Sequence, residues 1–174
     1  MKHLGLKGRQ WLKGFHVFFV CTWIGAGMSL LLMQWFMKAG DGMELYGIAR
    51  SMKFIDDFVI IPGAIGTLVT GLLFALFTNW GFFKHWWIIV KWVINLSGII
   101  FGTFWLGPWL NGSVPLAKEL GLKALTDPVY YHNQSMNAAF GPVQVATLVI
   151  AVFISVLKPW KKRTPSDKNE KPAE

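Results

Sequence analysis

His16 is the residue with the most chemistry to offer. It lies about half a turn into an uncharged apolar run, Gly14 to Met37, where an imidazole needs a partner. Helical spacing places Val20, Trp23 and Gly27 on the face of His16, which gives a nitrogen ligand, an aromatic wall and a small-residue gap above it. A haem fits such a slot, and neutral imidazole is a common axial ligand for haem iron. A histidine hydrogen-bonded to another helix's backbone fits the same spacing equally well. His85 opens a later apolar run in the same membrane half, either as a second ligand or, with Lys84, Trp86 and Trp87, as an interfacial anchor. Lys91, deeper in that run, either snorkels to the interface or meets a propionate or other anionic group. The candidate cofactor residues are thus His16, Trp23, His85 and Lys91, with His16 and His85 as the candidate metal ligands.

Other reactive side chains have structural readings. Asp56 and Asp57 precede an apolar run, where carboxylates favour the positive end of a helix dipole; proton entry and metal binding are the alternatives. His132 belongs with Asn133, Gln134 and Asn137 in a polar cluster at the opposite membrane face from His16, too far away to share a site. Cys21 is the sole cysteine, so no intrachain disulfide or Cys-paired metal site can form, and Met28, Met33 and Met37 make no tight metal-spaced group. No phosphate-cradling loop, dinucleotide fingerprint or HExxH pattern is present, which leaves hydrolases and nucleotide-driven pumps without support.

The elements that must position these residues are set by composition. Of 174 residues, 53% are hydrophobic and 15% charged, with 10 Trp and 14 Phe, more apolar surface than a soluble globule of this size buries. A hydrocarbon core of roughly 30 Å needs roughly 20 apolar residues in a helix. Four segments qualify: Gly14 to Met37, Phe58 to Trp80, Trp92 to Leu110 and Asn137 to Leu157. The expected fold is all-α, an integral membrane four-helix bundle over residues 1–163, followed by a polar, disordered tail over 164–174.

The net charge of +8 reads as membrane topology rather than nucleic-acid binding. Lys2, Lys7, Arg9, Lys13, Lys84, Lys158, Lys161, Lys162, Arg163, Lys168 and Lys171 fall on the side of the termini, which places both termini in the cytoplasm. The opposite loops hold fewer cations, Lys38, Arg50, Lys53, Lys118 and Lys123, together with Asp41, Glu44, Asp56, Asp57, Glu119 and Asp127. Trp11, Trp80, Trp86, Trp87, Trp109, Tyr130, Tyr131 and Trp160 fall at span ends, where amphipathic rings prefer to sit. The basic start and first apolar run form a retained helix, since the run is too long for a signal peptide and lacks a small-residue cleavage site. Asn111 to Pro128, with Leu116, Leu120, Ala124 and Leu125 among charged residues, predicts a short helix lying on the outer surface. Pro62 should bend the second span, and Gly25, Gly27, Gly63, Gly66, Gly98 and Gly102 favour close helix packing or, beside that bend, room for a flat ligand.

The run Trp11-Leu12-Lys13-Gly14-Phe15-His16, followed by Trp23-Ile24-Gly25-Ala26, resembles the first helix of the HemJ-type membrane protoporphyrinogen oxidases. CopD-type copper-resistance membrane domains and an uncharacterised branch of bacterial integral membrane proteins look similar. Ile61-Pro62-Gly63 with Gly71-Leu72-Leu73-Phe74 resembles their second helix, and Trp87-Ile88-Ile89-Val90-Lys91 the WxxxK start of their third. The resemblance implies a helical membrane bundle and a b-type haem whose ligand is the first-helix histidine, His16 here. It departs from the HemJ pattern where Phe54, beside Lys53, replaces the basic residue before Pro-Gly, where Gly102 stands for the third-helix histidine, and where Asn137-Ala138 replaces Asn-Glu. The uncharacterised branch is the nearer likeness and lends no activity.

These readings converge on a membrane haem protein of the bacterial inner membrane that moves electrons, with a quinone or porphyrin as substrate and haem oxidoreductase as the possible enzyme class. Copper handling is the alternative, as is a non-catalytic subunit of a larger membrane complex; homo-oligomerisation is compatible with either.

Overall fold

The computed structural model describes residues 4–78, 81–83 and 85–160. Trp80, Lys84, Lys2, the basic residues from Lys161 onward and the 164–174 tail lie outside the described residues. Six α-helices carry the fold: α1 (Leu6–Phe36), α2 (Gly42–Ile55), α3 (Ile61–Phe77), α4 (Trp86–Phe101), α5 (Gly107–Leu120) and α6 (Pro128–Leu157). A π turn over Asp56–Ile60 joins α2 to α3, another over Gly102–Leu106 joins α4 to α5, and a 3-10 turn over Gly121–Thr126 follows α5.

The chain therefore forms four continuous helical stretches long and apolar enough to cross a membrane: Leu6–Phe36, Gly42–Phe77, Trp86–Thr126 and Pro128–Leu157. Each contains most of one predicted span, but the middle two run well beyond it. Their 36 and 41 residues correspond to roughly 54 and 60 Å of helix at 1.5 Å per residue, against a hydrocarbon core of about 30 Å. An uncharged-run criterion finds only the hydrocarbon part of such a helix. The expected short surface helix over Asn111 to Pro128 is accordingly the far end of the third stretch, not a separate element.

Proline accounts for the two π turns. The Ile61 N–H donates to the Asp56 carbonyl and the Gly107 N–H to the Gly102 carbonyl, both five residues back, and each is followed at once by proline, Pro62 or Pro108. A proline ring crowds the carbonyl four residues before it, and a widened turn relieves that crowding. Pro115 and Pro142 sit inside α5 and α6 without such a turn, and nothing in their surroundings explains the difference.

Reversed pairing shows how the stretches align. On α1 and α3, Trp23 lies by Gly63 and His16 by Thr70; on α1 and α6, Gly27 lies by Val145 and Leu31 by Gly141. On α4 and α6, Lys91 meets Ser155 and Gly98 meets Gln144. The bundle is antiparallel, with α1 packed between α3 and α6, and α4 on the other side of α6. Beyond it, at the end away from the termini, α2, α5 and the start of α6 form a cap around buried Leu45, Ala49, Ala117, Ala124 and Tyr130. Gly42 and Gly121 let the α2 and α5 ends touch, since a Cβ on Gly42 would lie 2.8 Å from the Gly121 Cα, and Gly121 itself has φ of +55°.

Asp56 and Asp57 consequently do not begin a helix. They sit where α2 runs into the π turn, so the expected dipole role falls to Asp41, whose carboxylate accepts from the Glu44 N–H at 2.8 Å. Asp57 instead pairs with Lys53 at 2.8 Å, and Lys53 also donates to the Asn111 side chain at 2.9 Å, tying α2 to α5.

Candidate functional site

His16 reaches from α1 to α3. Its Nδ1 is 2.7 Å from the Thr70 hydroxyl oxygen, and the Thr70 hydroxyl donates to the Gly66 carbonyl at 2.6 Å. A hydroxyl has one hydrogen, so with that hydrogen turned to Gly66 the Thr70 oxygen accepts from His16 Nδ1–H. In that tautomer the proton sits on Nδ1, and Nε2 keeps its lone pair. The Phe74 and His16 rings meet edge to face, with centroids 5.6 Å apart and planes at 88°, and Gly71 lies beside Cε1. Half-buried His16 is thus an oriented imidazole in a helix–helix seam.

The face above it is more closely packed than the spacing suggested. Trp23 is buried with Ala64 and Leu148, and a Cβ on Gly63 would come 3.1 Å from the Trp23 backbone nitrogen. A Cβ on Gly27 would lie 3.0 Å from the Val145 side chain, and one on Gly66 would overlap the Phe19 ring. Gly63 thus serves backbone approach, and Gly27 and Gly66 make room for the Val145 and Phe19 side chains. The gap expected above Trp23 is filled by α3 and α6.

Lys91 lies near enough to His16 for its charge to act on the imidazole, while the ring and side-chain contacts of His85 and Lys91 are made within α4 and with α6. His85 precedes the first turn of α4 and lies against Trp87, with ring centroids 5.8 Å apart. Lys91 donates to the Ser155 hydroxyl at 3.2 Å, with its ammonium 4.7 Å from the Trp87 ring centre. The Lys158 ammonium approaches the same ring at 5.8 Å. Trp87 is therefore buried under two lysines, whereas Trp11, Trp86, Tyr131 and Trp160 are exposed as interfacial rings should be. Tyr130, expected at an interface, belongs to the cap core.

At the cap end, His132 meets Trp109 edge-on at 6.4 Å. Gln134 pairs with Gln34 of α1, whose side-chain amide donates to the Gln134 carbonyl at 2.7 Å, and the Asn137 side chain donates to the Asn133 carbonyl at 3.3 Å. Among the described residues, no three His, Cys, Asp or Glu side chains converge on a common point.

Three participants escaped the sequence reading: Thr70, Ser155 and the second ammonium, Lys158, which counted there only as a topology charge. Their signal was present. Thr67 and Thr70 are the hydroxyls of an otherwise apolar helix facing α1, and Gln34 is the lone amide of its run. No protein-family model, no curated protein and no solved structure matches this chain.

Proposed function

We propose that this chain is a multi-pass protein of the bacterial inner membrane, with cytoplasmic termini, that holds a b-type haem through His16 and transfers electrons. The observation that carries the reading is the contact of His16 Nδ1 with the Thr70 hydroxyl, itself bonded to the Gly66 carbonyl; in the tautomer with the proton on Nδ1, Nε2 is left to serve as a ligand. The resemblance of Trp11 to His16 and of Trp23 to Ala26 to a haem-binding first helix supports it. A bound haem would supply one-electron cycling of its iron. The protein's part is to fix the tautomer, through Thr70, and to limit ring rotation, through the edge contact with Phe74. Gly27 and Gly63 are already packed against Val145 and Trp23, so His16, rather than the face above Trp23, is the residue that would hold a haem. His85, placed against Trp87, is not assigned as the second ligand.

The orientation rests on Lys7, Arg9, Lys13 and Lys158 at the terminal end, against the acidic cap. The test is an optical spectrum of purified protein, oxidised and reduced, after haem supplementation. A Soret band lost in His16→Ala and kept in His132→Ala is expected. Thr70→Val, which removes the oxygen that accepts from Nδ1–H, should weaken haem affinity by about 10- to 100-fold. A wild-type protein without a Soret band in either state overturns the reading, and stoichiometric copper in the same sample would put metal handling in its place.

A further inference from the structure

The imidazole of His16 has one ring nitrogen engaged and one that is not. Thr70 takes up Nδ1, whereas Nε2 has no hydrogen-bond partner among the described residues. Among those residues Asn95 Oδ1 is the side-chain nitrogen or oxygen that is both buried and unpaired, so Nε2, unpaired as well, is not enclosed. Gly71 borders that open edge. A Cβ built on it would lie 3.8 Å from His16 Cε1, the carbon bonded to Nε2, and would meet nothing else outside its own turn of helix within 4 Å. Gly63 and Gly66 on the same helix have no such room, since a Cβ on the first presses on the Trp23 backbone and one on the second overlaps the Phe19 ring. Ala64, about two turns before Gly71 on one face of α3, is buried with Trp23 and Leu148, and Ile99 of α4 packs against them. The same face is thus closed by α4 and α6 at Ala64 and left uncovered at Gly71.

We propose that Gly71 is a specificity-determining position: lacking a side chain, it keeps the Cε1–Nε2 edge of His16 open to a flat, lipid-dissolved ligand. The direction of entry follows from the packing. α3 and α4 are consecutive yet scarcely touch, while α3 lies along α1 and α4 along α6. The seam beside Gly71 is therefore the loosest of the bundle, and exposed Leu72 next to it puts its mouth in hydrocarbon. Thr70 and Phe74 hold two sides of the imidazole, so the approach left is a slot along α3, which suits a flat ring. A methyl group at position 71 would make ordinary van der Waals contact with the imidazole, but a longer side chain would extend over Nε2. That the ring is a haem rests on the reading given above; the opening itself does not.

Diethyl pyrocarbonate, a small apolar electrophile, reads the opening without a cofactor. An unprotonated imidazole nitrogen takes its ethoxycarbonyl group, and ethanol and carbon dioxide leave. The experiment treats the full chain in detergent and follows the labelling of each histidine by peptide mass spectrometry. His16 should be labelled in the wild type and equally in Gly71→Ala. Gly71→Leu should slow that labelling about tenfold or more, with the labelling of exposed His132 and the helical circular dichroism unchanged. Haem added to the same three proteins should give a Soret band in the first two and none in Gly71→Leu, although His16 is intact there. An unlabelled His16 in the folded wild type, or wild-type labelling and haem binding in Gly71→Leu, overturns the proposal. A wild type labelled at His16 but without a Soret band overturns the haem reading instead, and the slowed labelling of Gly71→Leu still supports the opening. If Gly71→Leu does not fold, the labelling of His16 in the wild type and its slowing in Gly71→Val decide the matter.

Discussion

The α2–α5 seam and the α1–α3 seam are both antiparallel helix pairs, yet they are held together differently. Between α2 and α5, side chains are taken out of contact with the surroundings: Ala117 is 0% exposed, and Leu45, Ala49 and Tyr130 close around it. Polar groups there bridge elements, as when Lys53 joins Asp57 to Asn111, and carboxylates cap helix starts at Asp41 and Asp127. Between α1 and α3, glycines bring the backbones together while large apolar residues such as Phe15, Phe18 and Ile65 point outward. Hydroxyls turn back onto their own helix, Thr22 to the Phe18 carbonyl, Ser29 to Gly25 and Thr67 to Gly63. Burial of apolar side chains as in the first seam is what contact with water would drive. Lipid tails are as apolar as leucine, so the second depends on close approach and on internally satisfied polar groups.

The sharpest way to break this contrast is to truncate one leucine in each region. Leu45→Ala, at 6% exposure in the cap core, should cost about 2–5 kcal/mol through lost transfer energy and the cavity left behind. Leu32→Ala on α1, at 57% exposure, should change stability by less than about 0.5 kcal/mol. Denaturant titration of both variants in detergent, followed by helical circular dichroism, gives the two values. Similar costs would mean that the cap and the bundle bury apolar surface for the same reason.

Glycine substitution reverses the comparison, because the bundle is now the sensitive region. A Cβ on Gly63 would meet backbone and Cβ atoms of Trp23 at 3.1–3.2 Å, whereas one on Gly25 meets nothing within 4 Å. Gly63→Ala should therefore cost about 1–3 kcal/mol by overpacking. Gly25→Ala should stabilise by about 0.5–1 kcal/mol, since alanine loses less backbone freedom on forming the helix. The same denaturation measurement checks both, and a stabilising Gly63→Ala would show that α1 and α3 have room to spare.

The same contrast explains what could be read in advance. Uncharged runs located all four spanning helices, because lipid permits no isolated charge and no unpaired backbone amide. They could not reveal that α2 and α5 continue α3 and α4, because Asp56, Asp57 and Pro62 ordinarily mark a helix start. Only the π turn reconciles that local signal with a continuous helix. His16 was legible as a lone imidazole, but its partner was not: Thr70 is 54 positions away, and the α1–α3 register that joins them is set by Gly63 against Trp23. Likewise Lys91 could be given a negatively charged partner, but not Trp87 and Lys158 beside it, since the α4–α6 alignment is a property of packing rather than of either helix alone.

The smallest test concerns side chains that bond to backbone. Asp127 accepts from the Val129 and Tyr130 N–H groups at 2.9 and 3.0 Å, two donors that precede any carbonyl within α6. Asp127→Ala leaves them without their side-chain partner and should cost about 1 kcal/mol. Thr22 makes a bond of similar length, its hydroxyl donating to the Phe18 carbonyl at 2.8 Å, but that carbonyl already serves the helix ladder. Removing the hydroxyl leaves no backbone group unpaired, so Thr22→Ala should alter stability by less than about 0.5 kcal/mol, measured against Asp127→Ala in the same detergent. The order of the two effects follows from which partner is left behind, a backbone donor with nothing else to bond or a carbonyl that keeps its helical hydrogen bond. A larger loss from Thr22→Ala would show that hydroxyls in the bundle hold the helices together rather than merely satisfying themselves.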